Sequence, residues 1–156
     1  MVRRSEGRWG KQARNGPVSA GPGIGGHDMS TTTIAVSDIL AEIGRAFRAH
    51  DAAGIAALFA PDGVFINAVG DLKGDTYTGP EEVRGYFEKV FAETPDAAWT
   101  PRAAPLILGD DQAVTQWHRT ATGPDGKLRE WYGVDLYAFR DGKVTKKDTY
   151  IKNVTA

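Results

Sequence analysis

The chain has 156 residues, enough for one domain with a usable core, and its 41% hydrophobic and 10% aromatic content is that of a folded globular protein. A net charge of −1 argues against nucleic acid or an anionic membrane as the main partner. The complete lack of cysteine excludes disulfides, thiolate catalysis and cysteine-bound metal.

Residues 1–28 carry five basic residues (Arg3, Arg4, Arg8, Lys11, Arg14), two acids, seven glycines and two prolines. Such a segment cannot bury enough apolar surface to offset its ordering entropy. The expectation is a disordered basic tail over 1–36, or an extension upstream of a chain beginning at Met29, followed by one folded domain over 37–153. Without residues 1–28 the balance is 14 basic to 18 acidic residues, so the basic character belongs to the tail alone. No apolar run is long enough to span a membrane, and the N-terminus lacks the apolar centre of a signal peptide, so a cytoplasmic protein is expected.

Ser37 offers a helix cap with Asp38 in the first turn, and Ile39, Leu40, Ile43 and Phe47 recur at helical spacing. The pattern pauses at His50-Asp51. A shorter helix carrying Ile55, Leu58 and Phe59 then ends before Pro61-Asp62-Gly63. Val64 to Val69 reads as a strand, and Thr78-Gly79-Pro80-Glu81 as a helix start with Val83, Tyr86, Phe87, Val90 and Phe91 on the apolar stripe. Four long antiparallel strands follow over 98–108, 112–122, 128–139 and 143–153, separated by Gly/Asp turns. Helices first and a paired sheet afterwards give an α+β fold: a cone-shaped, curved antiparallel sheet covered on its concave face by about three helices.

Turn register then sorts side chains onto faces. With Asp141-Gly142 as a two-residue turn, Asp135 lies opposite Asp148 and Gly133 opposite Tyr150. With Pro124-Asp125 as the preceding turn, Gly133 faces Gln116 and Trp131 faces His118. One face then carries Gln116, His118, Trp131, Asp135, Asp148 and Tyr150; the other carries Trp117, Tyr132, Val134 and Leu136. Gly133 leaves open space on the polar face, which is therefore assigned to the helix-covered pocket. The apolar face is assigned to a homodimer contact. Two carboxylates facing each other across strands push one toward acid/base service near neutral pH, although Asp148 could instead pair with Lys146, Lys147 or Lys152. Asn67 can point an amide into the same pocket. The three histidines lie far apart in sequence, so no metal is expected. No phosphate loop or nucleotide fingerprint is present, so no cofactor is expected either.

The runs "FRAHDAAGIAALFAPDGVFINAVG", "YTGPEEVRGYFEKVF" and "WYGVDLYAFRDGKVTKKDTYIK" resemble the SnoaL-like branch of the nuclear transport factor 2-like superfamily, over roughly residues 37–153. The resemblance implies the cystatin-like cone. In ketosteroid isomerases of that superfamily, Asn67 falls where the aspartate base stands and Asp135 where a neutral aspartate donates to the oxyanion. Ile43 stands near the place of their oxyanion tyrosine, so half of that chemistry is absent. Limonene-epoxide-hydrolase-like proteins need a tyrosine, an arginine and an aspartate where this chain has Phe65, Gln116 and His118. SnoaL-like polyketide cyclases, with an aspartate among histidine, glutamine and asparagine, resemble it best. The resemblance implies cofactor-independent acid/base chemistry beside a carbonyl on a small hydrophobic or polyketide-like substrate. Asp135, His118 and Asp148 would act on it, and Asn67, Gln116, Trp131 and Tyr150 would bind it. A non-catalytic ligand-binding or dimerisation module on the same fold is the alternative.

Overall fold

A computed structural model describes residues 34–152; expectations for residues 1–33 and 153–156 lie outside them. Helix α1 spans Val36–Arg48, with Val36, Ile39, Leu40, Ile43, Ala46 and Phe47 buried. Its N-cap is Ala35, which makes no side-chain capping bond, in place of the expected Ser37. His50 adopts a left-handed φ of 52° and turns the chain into the short helix α2, Ala52–Ala57. Asp51 caps α2 by accepting from the Gly54 N–H at 2.8 Å. Helix α3 covers Gly79–Glu93, and Glu82 reaches back to accept from the Thr78 N–H.

The strands are β1 Phe59–Ile66, β2 Thr76–Thr78, β3 Ala98–Pro101, β4 Leu106–Leu108, β5 Gln112–Thr122, β6 Leu128–Arg140 and β7 Lys143–Lys152. They form one curved, unclosed sheet in the order β2-β1-β7-β6-β5-β3, with β4 also pairing to β5. The fold is α+β as expected, with one refinement: β1 and β7 pair in parallel, so the sheet is not wholly antiparallel. Phe59 was expected in a helix. It instead opens β1, because the Leu58 carbonyl accepts from the Val144 N–H at 2.8 Å and draws the chain onto β7. Gly63 permits this approach, since a Cβ there would lie 2.6 Å from the Val144 carbonyl oxygen. The single strand expected over 98–108 is broken into β3 and β4 between Pro101 and Pro105, neither of which can donate to a ladder.

Both long hairpins depart from the expected register by one residue. At the β6–β7 turn, Asp141 and Gly142 have φ of 52° and 72°, and Arg140 pairs with Lys143 as expected. A bulge follows at once: Phe139 pairs with Val144 and Ala138 with Lys146, leaving Thr145 as the extra residue. Beyond it Asp135 faces Thr149, Leu136 faces Asp148 and Val134 faces Tyr150. At the β5–β6 turn, Gly123 N–H bonds to the Lys127 carbonyl, and Gly126 holds φ 74° in a three-residue loop. Asp135 therefore faces Thr115, Gly133 faces Trp117, and Arg119 faces Trp131.

The core lies between α1, α3 and the concave face. Phe47, Phe87, Phe91, Phe65 and Trp99 pack there edge-on, stacked or tilted, with ring centroids 5.1–6.4 Å apart. Among the described residues, no helix is long and apolar enough to cross a membrane.

Candidate active-site pocket

The cone encloses a cavity of about 980 Å³ between α1, α3 and the concave sheet face. Phe47, Phe87 and Val90 supply much of its apolar wall from the helices. Two polar groups of residues interrupt that wall.

The first is centred on Asp135, whose side chain is 6% exposed. Its Oδ1 accepts from Lys147 Nζ at 2.7 Å and from Thr149 Oγ1 at 2.7 Å. Its Oδ2 accepts from Trp117 Nε1 at 2.9 Å and, more weakly, from the Tyr137 hydroxyl at 3.4 Å. Lys147, 5% exposed, also donates to Thr149 Oγ1 and sits 4.8 Å from the centre of the Phe65 ring. Burial, with the Asp135 carboxylate beside it, pushes the Tyr137 hydroxyl well above its ordinary value, so it remains a donor.

The second group lies toward α3. Asn67 Nδ2 donates to the Tyr86 hydroxyl at 2.9 Å, while Asn67 Oδ1 is occupied by the Ala68 N–H. The Tyr86 hydroxyl is an acceptor in that bond, so its own hydrogen is left to donate. Burial raises its pKa, and the hydrogen bond from Asn67 and the Arg119 charge oppose the rise only in part. Arg119 lies between the rings of Trp99 and Trp131, with its guanidinium carbon 4.9 and 4.7 Å from their centres.

Of the residues expected in the pocket, Asp135, Trp131 and Asn67 border it. The register shift moves the others. Gln116 shares the face of Val134, although it still borders the cavity. His118 stands beside Tyr132 on the convex face, 3.0 Å from Glu130 Oε1. Asp148 is also on the convex face and pairs with Lys146 at 3.3 Å, one of the partners weighed for it. Tyr150 lies beside Val134 on the same side. Asp135 therefore faces no second carboxylate; its partner is a buried lysine. Trp117, expected on the convex face, points into the cone and fills the space above Gly133 that a ligand was expected to use.

The sequence alone assigns none of Lys147, Thr149, Trp117, Arg119 and Tyr86 to the pocket. One signal was available: Pro124-Asp125-Gly126 suits a three-residue loop with glycine in the left-handed position, which sets the β5 face correctly. Among the described residues, no three His, Asp or Glu side chains converge as a metal site requires.

Residues 40–147 match the model of the SnoaL-like domain. The chain belongs to the SnoaL-like domain family. Within the nuclear transport factor 2-like superfamily, a Burkholderia thailandensis protein is similar at 21% identity and a TM-score of 0.66, with 76% of this chain and 92% of that one covered. A Catenulispora acidiphila protein with a ketosteroid isomerase-like fold, in complex with trimethylamine, is 19% identical, with 72% and 84% covered and a TM-score of 0.64. AclR, a putative hydroxylase from Streptomyces galilaeus, is 21% identical, with 74% and 73% covered and a TM-score of 0.61. At these identities the likeness is one of fold alone, and fold does not dictate chemistry. No curated protein matches the chain in sequence.

Proposed function

We propose that the cavity takes a small hydrophobic, polyketide-like molecule bearing a carbonyl. The chain then moves a proton beside that carbonyl without a cofactor, as in an aldol-type cyclisation or an isomerisation. The observation that carries this reading is the Asp135–Lys147 ion pair buried at the cavity wall. A buried pair contributes little net stability compared with well-packed apolar residues, so its place beside a cavity favours a chemical role. Asp135 Oδ1 is committed to Lys147 and Thr149. Oδ2 has one firm donor and one long one, and is the atom that takes the proton. The free hydrogen of Tyr86, positioned by Asn67, stabilises the oxyanion that develops. His118 and Asp148 have no part in this scheme, because they stand on the other face of the sheet.

The test is deuterium exchange at carbons next to the carbonyl, followed by NMR on 1,3-diketones and aryl ketones in deuterium oxide. Asp135→Asn is expected to slow exchange by roughly 10²-fold or more while the variant stays folded. Full turnover by that variant would sink the proposal. A second reading, a non-catalytic binding module, is favoured by the four donors that already surround Asp135. Tight binding with every probe recovered unaltered would select it. We further propose that two copies pair through the convex face.

A further inference from the structure

The cavity lining holds four cationic side chains, Arg48, Arg119, Arg129 and Lys147, against two carboxylates, Glu93 and Asp135. Both carboxylates already have a cation: Asp135 has Lys147 at 2.7 Å and Glu93 has Lys89 at 3.9 Å. Arg129 lies 3.5 Å from Asp125. Arg48 is open to solvent, whereas Arg119 is half-buried. Arg119 has no carboxylate within ion-pair distance among the described residues, and its one side-chain hydrogen bond runs from Nη2 to Thr94 Oγ1 at 3.0 Å.

A guanidinium has five N–H donors, and its Nε here is shut off from solvent with no partner at all. The carboxylate that most nearly answers it, Asp96, is instead taken up by the backbone N–H and the hydroxyl of Thr122. Desolvation accordingly lowers the Arg119 pKa, the sign of a cation held where it lacks compensation. Trp99 and Trp131 stand on the strands on either side of it, and with Nε shut off the N–H groups left for a ligand are those of Nη1 and the second of Nη2, the end of the guanidinium that can grip a carboxylate.

We propose that Arg119 anchors a carboxylate of the ligand, which makes the preferred molecule an aromatic or polyketide-like acid and not a neutral ketone. The acid group lies against Arg119 between the two indoles, and the apolar body fills the cone. This rests on the cavity being a small-molecule site, but on no catalytic step within it.

The test is calorimetric titration of the full chain with 2-naphthoate and with 2-naphthamide, two probes of one shape that differ in charge. The wild type is expected to bind the acid at least about tenfold more tightly than the amide, the scale of a charged hydrogen-bonding pair. Arg119→Gln is expected to lose that preference while keeping its affinity for the amide. Lys146→Gln, which removes the same charge from the convex face, is expected to keep the preference. Should Arg119→Gln fail to fold, Arg119→Lys and the wild-type comparison decide. Equal affinity of the wild type for both probes overturns the carboxylate anchor and leaves the cavity reading standing. So does a preference that survives in Arg119→Gln. Failure to bind either probe overturns both.

Discussion

The indole of Trp117 lies over Gly133 on the neighbouring strand and donates Nε1–H to Asp135 Oδ2 at 2.9 Å. A Cβ on residue 133 would sit 2.0 Å from Trp117 Cζ2, within the ring's own volume. The glycine is thus required by the close approach of a side chain, in a strand where its lack of packing atoms is otherwise a weakness. Gly133→Ala is expected to destabilise by roughly 1–3 kcal/mol through overpacking and to detach Trp117 from Asp135. Urea unfolding of Gly133→Ala, Trp117→Phe and the double variant measures this. The double variant should cost less than the sum of the two singles, because both disturb one contact.

Lys147 is the counter-charge of a carboxylate that has left water. Lys147→Met leaves the buried Asp135 carboxylate without its counter-charge and is expected to cost about 3–5 kcal/mol. Replacing both partners, as Asp135→Leu with Lys147→Met, is expected to recover most of that loss in denaturant unfolding. If the double variant is no more stable than the single one, the pair is not the unit described here.

These two relationships show how far the sequence could be read. Helical spacing located α1 and α3, and the turn residues located the hairpins, because both signals are local. The face on which β5 and the distal half of β7 present their side chains depends on counting one residue at a turn and one at a bulge. Because strand side chains alternate, each miscount moves a whole set across the sheet. Strand β6 lies between the two miscounts and keeps its assigned face, so Asp135 and Trp131 were found while His118 and Asp148 were misplaced. The inward turn of Lys147 had no local signal, since the Thr145 bulge alone decides which of Lys146 and Lys147 enters the cone.

Three of the five tyrosines have hydroxyls raised by burial: Tyr77, Tyr86 and, most strongly, Tyr137. A raised folded pKa means that the native state keeps a proton which the unfolded chain releases above about pH 10. The stabilisation is therefore full below pH 10 and is lost as pH climbs through the folded values. Native tyrosinate absorbance should show a late-titrating fraction, reduced in Tyr86→Phe and in Tyr137→Phe. The alkaline fall in denaturant midpoint should be shallower in Tyr137→Phe than in the wild type. Identical slopes would mean that Tyr137 is not held neutral by its surroundings.

The convex face carries Tyr132, Leu136 and Tyr150 at 46%, 40% and 58% exposure, with Val134 between them. Three large apolar side chains side by side on one sheet surface favour a partner that covers them, and a second copy of the chain brings the same surface. Its apolar set differs from the sequence expectation in one member: Trp117 points inward, and Tyr150 takes its place. The Asp148–Lys146 pair beside it would give the proposed two-fold contact a polar border. Leu136→Asp places a charge within that patch without touching the cavity. It is expected to convert a dimer into a folded monomer in sedimentation velocity at micromolar concentration, with binding of cavity probes unchanged. A wild-type chain that sediments as a monomer under those conditions removes the proposed pairing and leaves the pocket and its ion pair intact, because no element of the cavity comes from the convex side of β6.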